Sequence, residues 1–148
     1  MSILRKTLIA SAALALPFSV SANSKLEKMM SDPNQWVQQS GNYAGERYTE
    51  LDQINKSNVG SLKVAWSFST GVLRGHEGSP LVIGDVMYVH TAIPNIVYAL
   101  DLNNDQQILW KYNPVKGGKY PGGETMDRVI SVMCCDNVNR GVNYHPNG

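Results

Sequence analysis

The hydrophobic pattern divides the chain into two halves with different periods. From residue 62 onward the apolar positions fall in short runs with a two-residue repeat. "LKVAWSFST" alternates apolar and polar residues and is rich in β-branched and aromatic types, which predicts a strand. "SPLVIGDVMYVHT" is two apolar runs split by Gly84-Asp85, and a glycine in the first turn position suits a two-residue hairpin of type II′. "NIVYALDL" and "QILWKY" add two further strands, joined through the turn-prone "NNDQ". Short strands linked by brief turns predict an antiparallel meander and an all-β fold.

The part before residue 62 has no such pattern. In "KLEKMMSDPNQW", Asp32-Pro33 predicts a short helix start, with Asp as the cap and Pro in the first turn. "DQINKSNVGSL" is polar and turn-rich, with one helical turn expected before Leu62. Beyond the strands, "NPVKGGKYPGGETMD" is punctuated by glycine and proline and reads as a loop. "RVISVMCC" reads as a final strand-like run.

Residues 1–22 stand apart from the fold. A basic start (Arg5, Lys6) precedes an apolar run from Leu8 to Phe18, and Ser21-Ala22 then precede Asn23. This is the layout of a secretory signal peptide cut after Ala22. The apolar run is shorter than a bilayer span requires, so no membrane span is expected after cleavage. Residues 23–148 are then the mature part, and an exported chain meets an oxidising compartment. The formal charge of +1 carries no basic footprint for nucleic acid. Three scattered histidines, without clustered cysteines, leave no legible zinc site.

Two observations concern architecture. Trp66 and Trp110 both sit in strand-like runs, separated by about the length of one propeller blade. Two ordinary core tryptophans would give the same spacing. The chain stops in the turn "NYHPNG", and a single blade cannot bury both its faces. The expectation is therefore an N-terminal fragment of a larger propeller.

Chemistry concentrates in "SVMCCDNVNRG". It contains both cysteines of the chain, Cys134 and Cys135, as neighbours. A disulfide ordinarily spans Cα atoms roughly 4.4–6.8 Å apart, whereas adjacent residues are about 3.8 Å apart across a trans peptide. A bond here would be strained and would close almost no loop. If oxidised, the pair shapes its surroundings without stapling the fold; two reduced, buried thiols are the plain alternative.

The run from "WVQQSGNYAGERYTELDQINKSNVG" through "GVLRGHEGSPLV", "MYVHT" and "ILWKY", together with "VMCCDNVNRGV", resembles the N-terminal part of the PQQ-dependent methanol and ethanol dehydrogenases. "GVLRGHEGSPLV" is most similar to the lanthanide-dependent type. The resemblance implies the first part of an eight-bladed quinoprotein β-propeller, with a short helix near the mature N-terminus and PQQ in an axial funnel. The family's blade motif is kept at Ala99, Asp101 and Trp110, but Asn104-Asp105 replace the usual Thr-Gly and one extra residue precedes the Trp. The "KGGKYPGGETMD" loop looks longer than in typical relatives and either reshapes the funnel mouth or lies idle on the surface.

By the same resemblance, Cys134 and Cys135 form a disulfide that walls one face of PQQ. Arg140 binds a cofactor carboxylate, for which its planar fork is suited. Val138 lines the cofactor, although core packing explains it nearly as well. Glu77 contacts PQQ, and a carboxylate beside a tricarboxylate requires an N–H donor or a proton between them. The bland alternatives are a surface Arg in a turn and an exposed turn Glu. His76 and His90 read as structural.

The implied activity is periplasmic oxidation of a small primary alcohol, methanol or ethanol, to an aldehyde. The metal is a lanthanide or calcium ion acting as Lewis acid, an Asp is the general base, and cytochrome c accepts the electrons. A homodimer is the assembly the family often adopts. The family's base and metal ligands lie beyond the region matched, so no catalytic or metal residue is assigned here, and the fragment alone is expected to be inactive. Competing readings are a non-catalytic secreted propeller scaffold, which has no need of "HEGSP" and "CCDNVNRG" together, and a small exported redox protein switching through Cys134–Cys135.

Overall fold

A computed structural model describes residues 23–133 and 137–147. The proposed signal peptide and the cysteine pair lie outside the described residues. Along the chain, helix α1 (Ser24–Met30) is followed by a single 3₁₀ turn at Val59–Ser61. Then come strands β1 (Leu81–Ile83), β2 (Val86–His90), β3 (Val97–Asp101) and β4 (Ile108–Tyr112), and helix α2 (Met126–Val132).

The strands form one antiparallel sheet in the order β1-β2-β3-β4, the meander that the alternation predicts. The β1–β2 turn has Gly84 at φ 56° with Asp85 outside the left-handed region, consistent with a glycine-first hairpin turn. Pairing of β3 with β4 runs from Val97↔Tyr112 to Ala99↔Trp110 and then shifts to Leu100↔Ile108. The shift leaves Leu109 as an extra residue on β4. The surplus residue before Trp110 is thus absorbed as a bulge in the sheet.

β3 lies between two neighbours, and Ala99 and Leu100 are completely buried. Ile96, Tyr98 and Leu100 form the core cluster, with Phe68, Val72, Met87 and Val89 packed on it. At the β1 edge, Trp36 exchanges two backbone hydrogen bonds with Val82, at 2.8 and 2.9 Å, which ties the irregular N-terminal part to the sheet. Gly41 permits this close packing: it has φ 84°, and a Cβ there would stand 3.1 Å from the Trp36 ring.

Three sequence expectations are corrected. The first helix lies ahead of Asp32-Pro33, not after it. Asn23 caps α1 by accepting from the Leu26 N–H, while Asp32 spends its carboxylate on the Asn34 N–H and the Asn34 and Gln35 amides, closing a turn. Residues 62–70 are not a strand: no ladder partner lies beside them among the described residues. "RVISV" is helical. Thr125 caps α2 by accepting from the Arg128 N–H, and Glu124 pairs with Arg128 at 2.8 Å one turn on. With no neighbouring strand to join among the described residues, local capping decides the conformation.

Candidate functional site

Two loops distant in sequence converge at the far end of β2. One is the "GHEGSP" loop ahead of β1, and the other is residues 137–142, which follow the cysteine pair. They bring Glu77 and Arg140 together, with Arg140 Nη2 3.8 Å from Glu77 Oε2. Both side chains are largely open to solvent, Arg140 at 81% and Glu77 at 52%. A charge-assisted hydrogen bond is about 2.7–2.9 Å long. This pair is looser, so the guanidinium fork can take another carboxylate. Val138, in the second loop, is half-buried.

A network of small polar contacts fixes the second loop. Asn139 donates from Nδ2 to Asn95 Oδ1 at 3.1 Å, and its own Oδ1 accepts from the Gly141 N–H at 2.9 Å. The Ile93 N–H donates to the Asn137 carbonyl at 3.3 Å, and Gln39 donates to the Val142 carbonyl at 3.2 Å. Asn137 is buried at φ 54°, a left-handed conformation that asparagine tolerates better than most residues. Gly141 adopts φ 145°, and a Cβ there would overlap Gln39. The turn that supplies Asn95 is held by Thr91, whose hydroxyl donates to the Ala92 carbonyl and accepts from the Ile96 N–H.

His90, at the end of β2, reaches between the two loops. It is buried, and its Nε2 lies 3.2 Å from the Asn139 carbonyl, while Nδ1 makes no hydrogen bond among the described residues. Desolvation holds its pKa below the ordinary histidine value, opposed by the Asn139 carbonyl and reinforced by the charge of His76. His76 is exposed and braced within its own loop, Nδ1 2.7 Å from the Arg74 carbonyl and Nε2 3.2 Å from Thr70 Oγ1. The long loop folds back through the Lys116↔Lys119 and Lys119↔Thr125 bridges. Its Tyr120 hydroxyl is enclosed, and burial pushes the phenol pKa up, with the Asn95 side chain opposing.

Of the sequence-predicted residues, then, Glu77 and Arg140 are brought together, Val138 lies in the same loop as Arg140, and Cys134 and Cys135 fall outside the described residues. Sequence reading missed Asn95 and Tyr120, which carry no motif of their own, and gave no role to Asn139, although it stands inside "CCDNVNRG". Among the described residues no cluster of His, Cys, Asp and Glu is suited to a metal, and no helix is long and apolar enough to cross a membrane.

A four-stranded antiparallel meander with its outer strand exposed is the repeating unit of a β-propeller. The PQQ family pattern described as "Glucose/ethanol/alcohol dehydrogenase, beta-propeller domain" matches residues 36–148, and the chain belongs to that family. It is 54% identical over 133 residues to the "Lanthanide-dependent methanol dehydrogenase" of Methylorubrum extorquens, covering 90% of this chain and 21% of that protein. The "Methanol dehydrogenase [cytochrome c] subunit 1" of Paracoccus denitrificans is 48% identical over 125 residues, covering 84% of this chain and 18% of that protein. A solved "Europium-containing methanol dehydrogenase" superposes with a TM-score of 0.74 at 52% identity, over 83% of this chain and 20% of that one. The chain spans about a fifth of the length of the curated relatives it matches.

Proposed function

We propose that residues 23–148 form the N-terminal part of a periplasmic, PQQ-dependent dehydrogenase that oxidises small primary alcohols, methanol or ethanol, and passes electrons to cytochrome c. Residues 1–22 are its export signal. The observation that carries this reading is the meeting of Glu77 and Arg140, from loops far apart in sequence, in a chain of the PQQ family.

The residues present fit a flat tricarboxylate. When bound, PQQ supplies a redox-active quinone able to accept the two electrons released by the alcohol. Arg140 offers its planar fork to one carboxylate, a geometry lysine cannot reproduce. Glu77, 3.8 Å away, orients the guanidinium and accepts from an N–H of the ligand. Val138 gives apolar contact, and Cys134 with Cys135, joined as a disulfide, forms a wall on one face. A lanthanide or calcium ion completes the centre, held by residues outside this chain.

The test is PQQ retention in the full-length holoenzyme. Arg140→Ala is expected to weaken PQQ binding about tenfold to a hundredfold, the worth of a hydrogen bond to a charged group. Arg140→Lys should recover only part of it, and Glu77→Gln should shift the pH dependence of retention. Wild-type retention in Arg140→Ala would sink the assignment.

A further inference from the structure

His90 belongs to neither loop of the site, yet it is the side chain on which both rest. Gly78, the residue after Glu77, lies so close to the imidazole that a Cβ on it would stand 1.9 Å from His90 Nε2. The same Cβ would be 3.0 Å from the Arg140 carbonyl oxygen. The glycine is required because the ring occupies the space of its side chain. At the same Nε2 edge the ring meets the Asn139 carbonyl, one residue before Arg140.

The hydrogen bond also fixes the ring's protonation. A carbonyl only accepts, so Nε2 must carry the proton and donate. Nδ1 is enclosed and has no partner among the described residues; a second N–H there would be buried and unsatisfied by them, so it stays bare. His90 is thus a neutral imidazole, 6% exposed, with a defined tautomer and a defined direction.

We propose that His90 is the positioning residue of the cofactor rim: its neutral Nε2–H, donated to the Asn139 carbonyl, and its ring edge, packed on Gly78, set the spacing between Arg140 and Glu77. It acts through these two residues and need not touch the ligand. Asn139, bonded in turn to Asn95 and to the Gly141 N–H, stiffens the loop that His90 orients. The inference rests on the PQQ reading above for its ligand, but the linkage itself is a property of this chain.

Three full-length holoenzymes decide it: wild type, His90→Gln and His90→Leu. A Gln amide presents a donor near the position of imidazole Nε2, whereas Leu fills similar space and donates nothing. His90→Leu is expected to release PQQ about tenfold faster than wild type, the worth of one buried hydrogen bond. His90→Gln should stay within about threefold of wild type. Equal retention in all three overturns the proposal, and so does equal loss in both variants, which would reduce the ring to packing. Should His90→Leu not fold, ¹⁵N-histidine spectra of the wild type still decide: the proposal requires a neutral ring protonated on Nε2, and a proton on Nδ1 overturns it. A wild-type protein that takes up no PQQ would instead refute the functional reading, leaving the tautomer to report on the linkage.

Discussion

Residues 97–101 and 62–70 carry nearly the same kind of pattern and end in different states. "VYALD" becomes β3, paired on both sides, with Tyr98, Ala99 and Leu100 buried. "LKVAWSFST" stays outside the sheet, and its alternate residues Leu62, Val64 and Trp66 are 57%, 86% and 39% exposed. Its end is attached to β3. Phe68 meets Tyr98 edge-on at 5.1 Å, and the Tyr98 hydroxyl donates to the Thr70 carbonyl at 2.9 Å. Alternation in a sequence therefore specifies a surface that fits a sheet, and it does not specify that a partner strand lies beside it.

The sharpest way to break the contrast is truncation on each side. Leu100→Ala, at a fully buried position, is expected to cost about 2–5 kcal/mol, read as thermal or denaturant unfolding of the full-length protein. Val64→Ala should stay within about 0.5 kcal/mol if its side chain remains exposed. A cost for Val64→Ala approaching that of Leu100→Ala would show that another strand covers residues 62–66 in the complete molecule, and the two regions would then differ only in where their partners come from.

The same reasoning explains what the sequence makes legible. The four strands and the glycine turn could be read from alternation because each strand finds its partner a few residues away. "RVISV" misled because β-branched residues favour strands only where a ladder exists, and here Thr125 and the Glu124–Arg128 pair offered a helix. Glu77, Val138 and Arg140 were legible through their motifs. The convergence of their loops was not, because it depends on Gly78, His90, Asn95 and Asn139, whose roles arise from contacts between residues far apart in sequence.

A smaller effect probes one of the attachments between the two regions. Tyr98→Phe removes the hydroxyl that binds the Thr70 carbonyl and keeps the ring against Phe68. The expected loss is about 1 kcal/mol, the net worth of a typical hydrogen bond. Hydrogen exchange should quicken around residues 68–72 and leave β3 unchanged. Acceleration throughout the sheet would mean that the segment is an integral part of the core and not an appendage.

The least perturbing test changes only pH, and it acts on the buried side of the comparison. His90 prefers its neutral form in the fold, because its ring is desolvated and the charge of His76 opposes a second positive group, although the Asn139 carbonyl favours the proton. Arg140 and Glu77 face the same region from the two loops, with opposite charges. The unfolded chain binds a proton near the ordinary histidine value of about 6.5, before the folded chain does. As pH falls through that value the unfolded state therefore holds more protons, and stability declines until the pH passes the lower, folded pKa. His90→Gln has no such proton to bind. Between pH 8 and pH 5 the wild type should lose thermal stability relative to His90→Gln, most steeply just below pH 6.5. Parallel unfolding curves for the two proteins would mean that His90 is charged or solvated in the fold, and the rim would then lack the neutral donor on which its spacing depends.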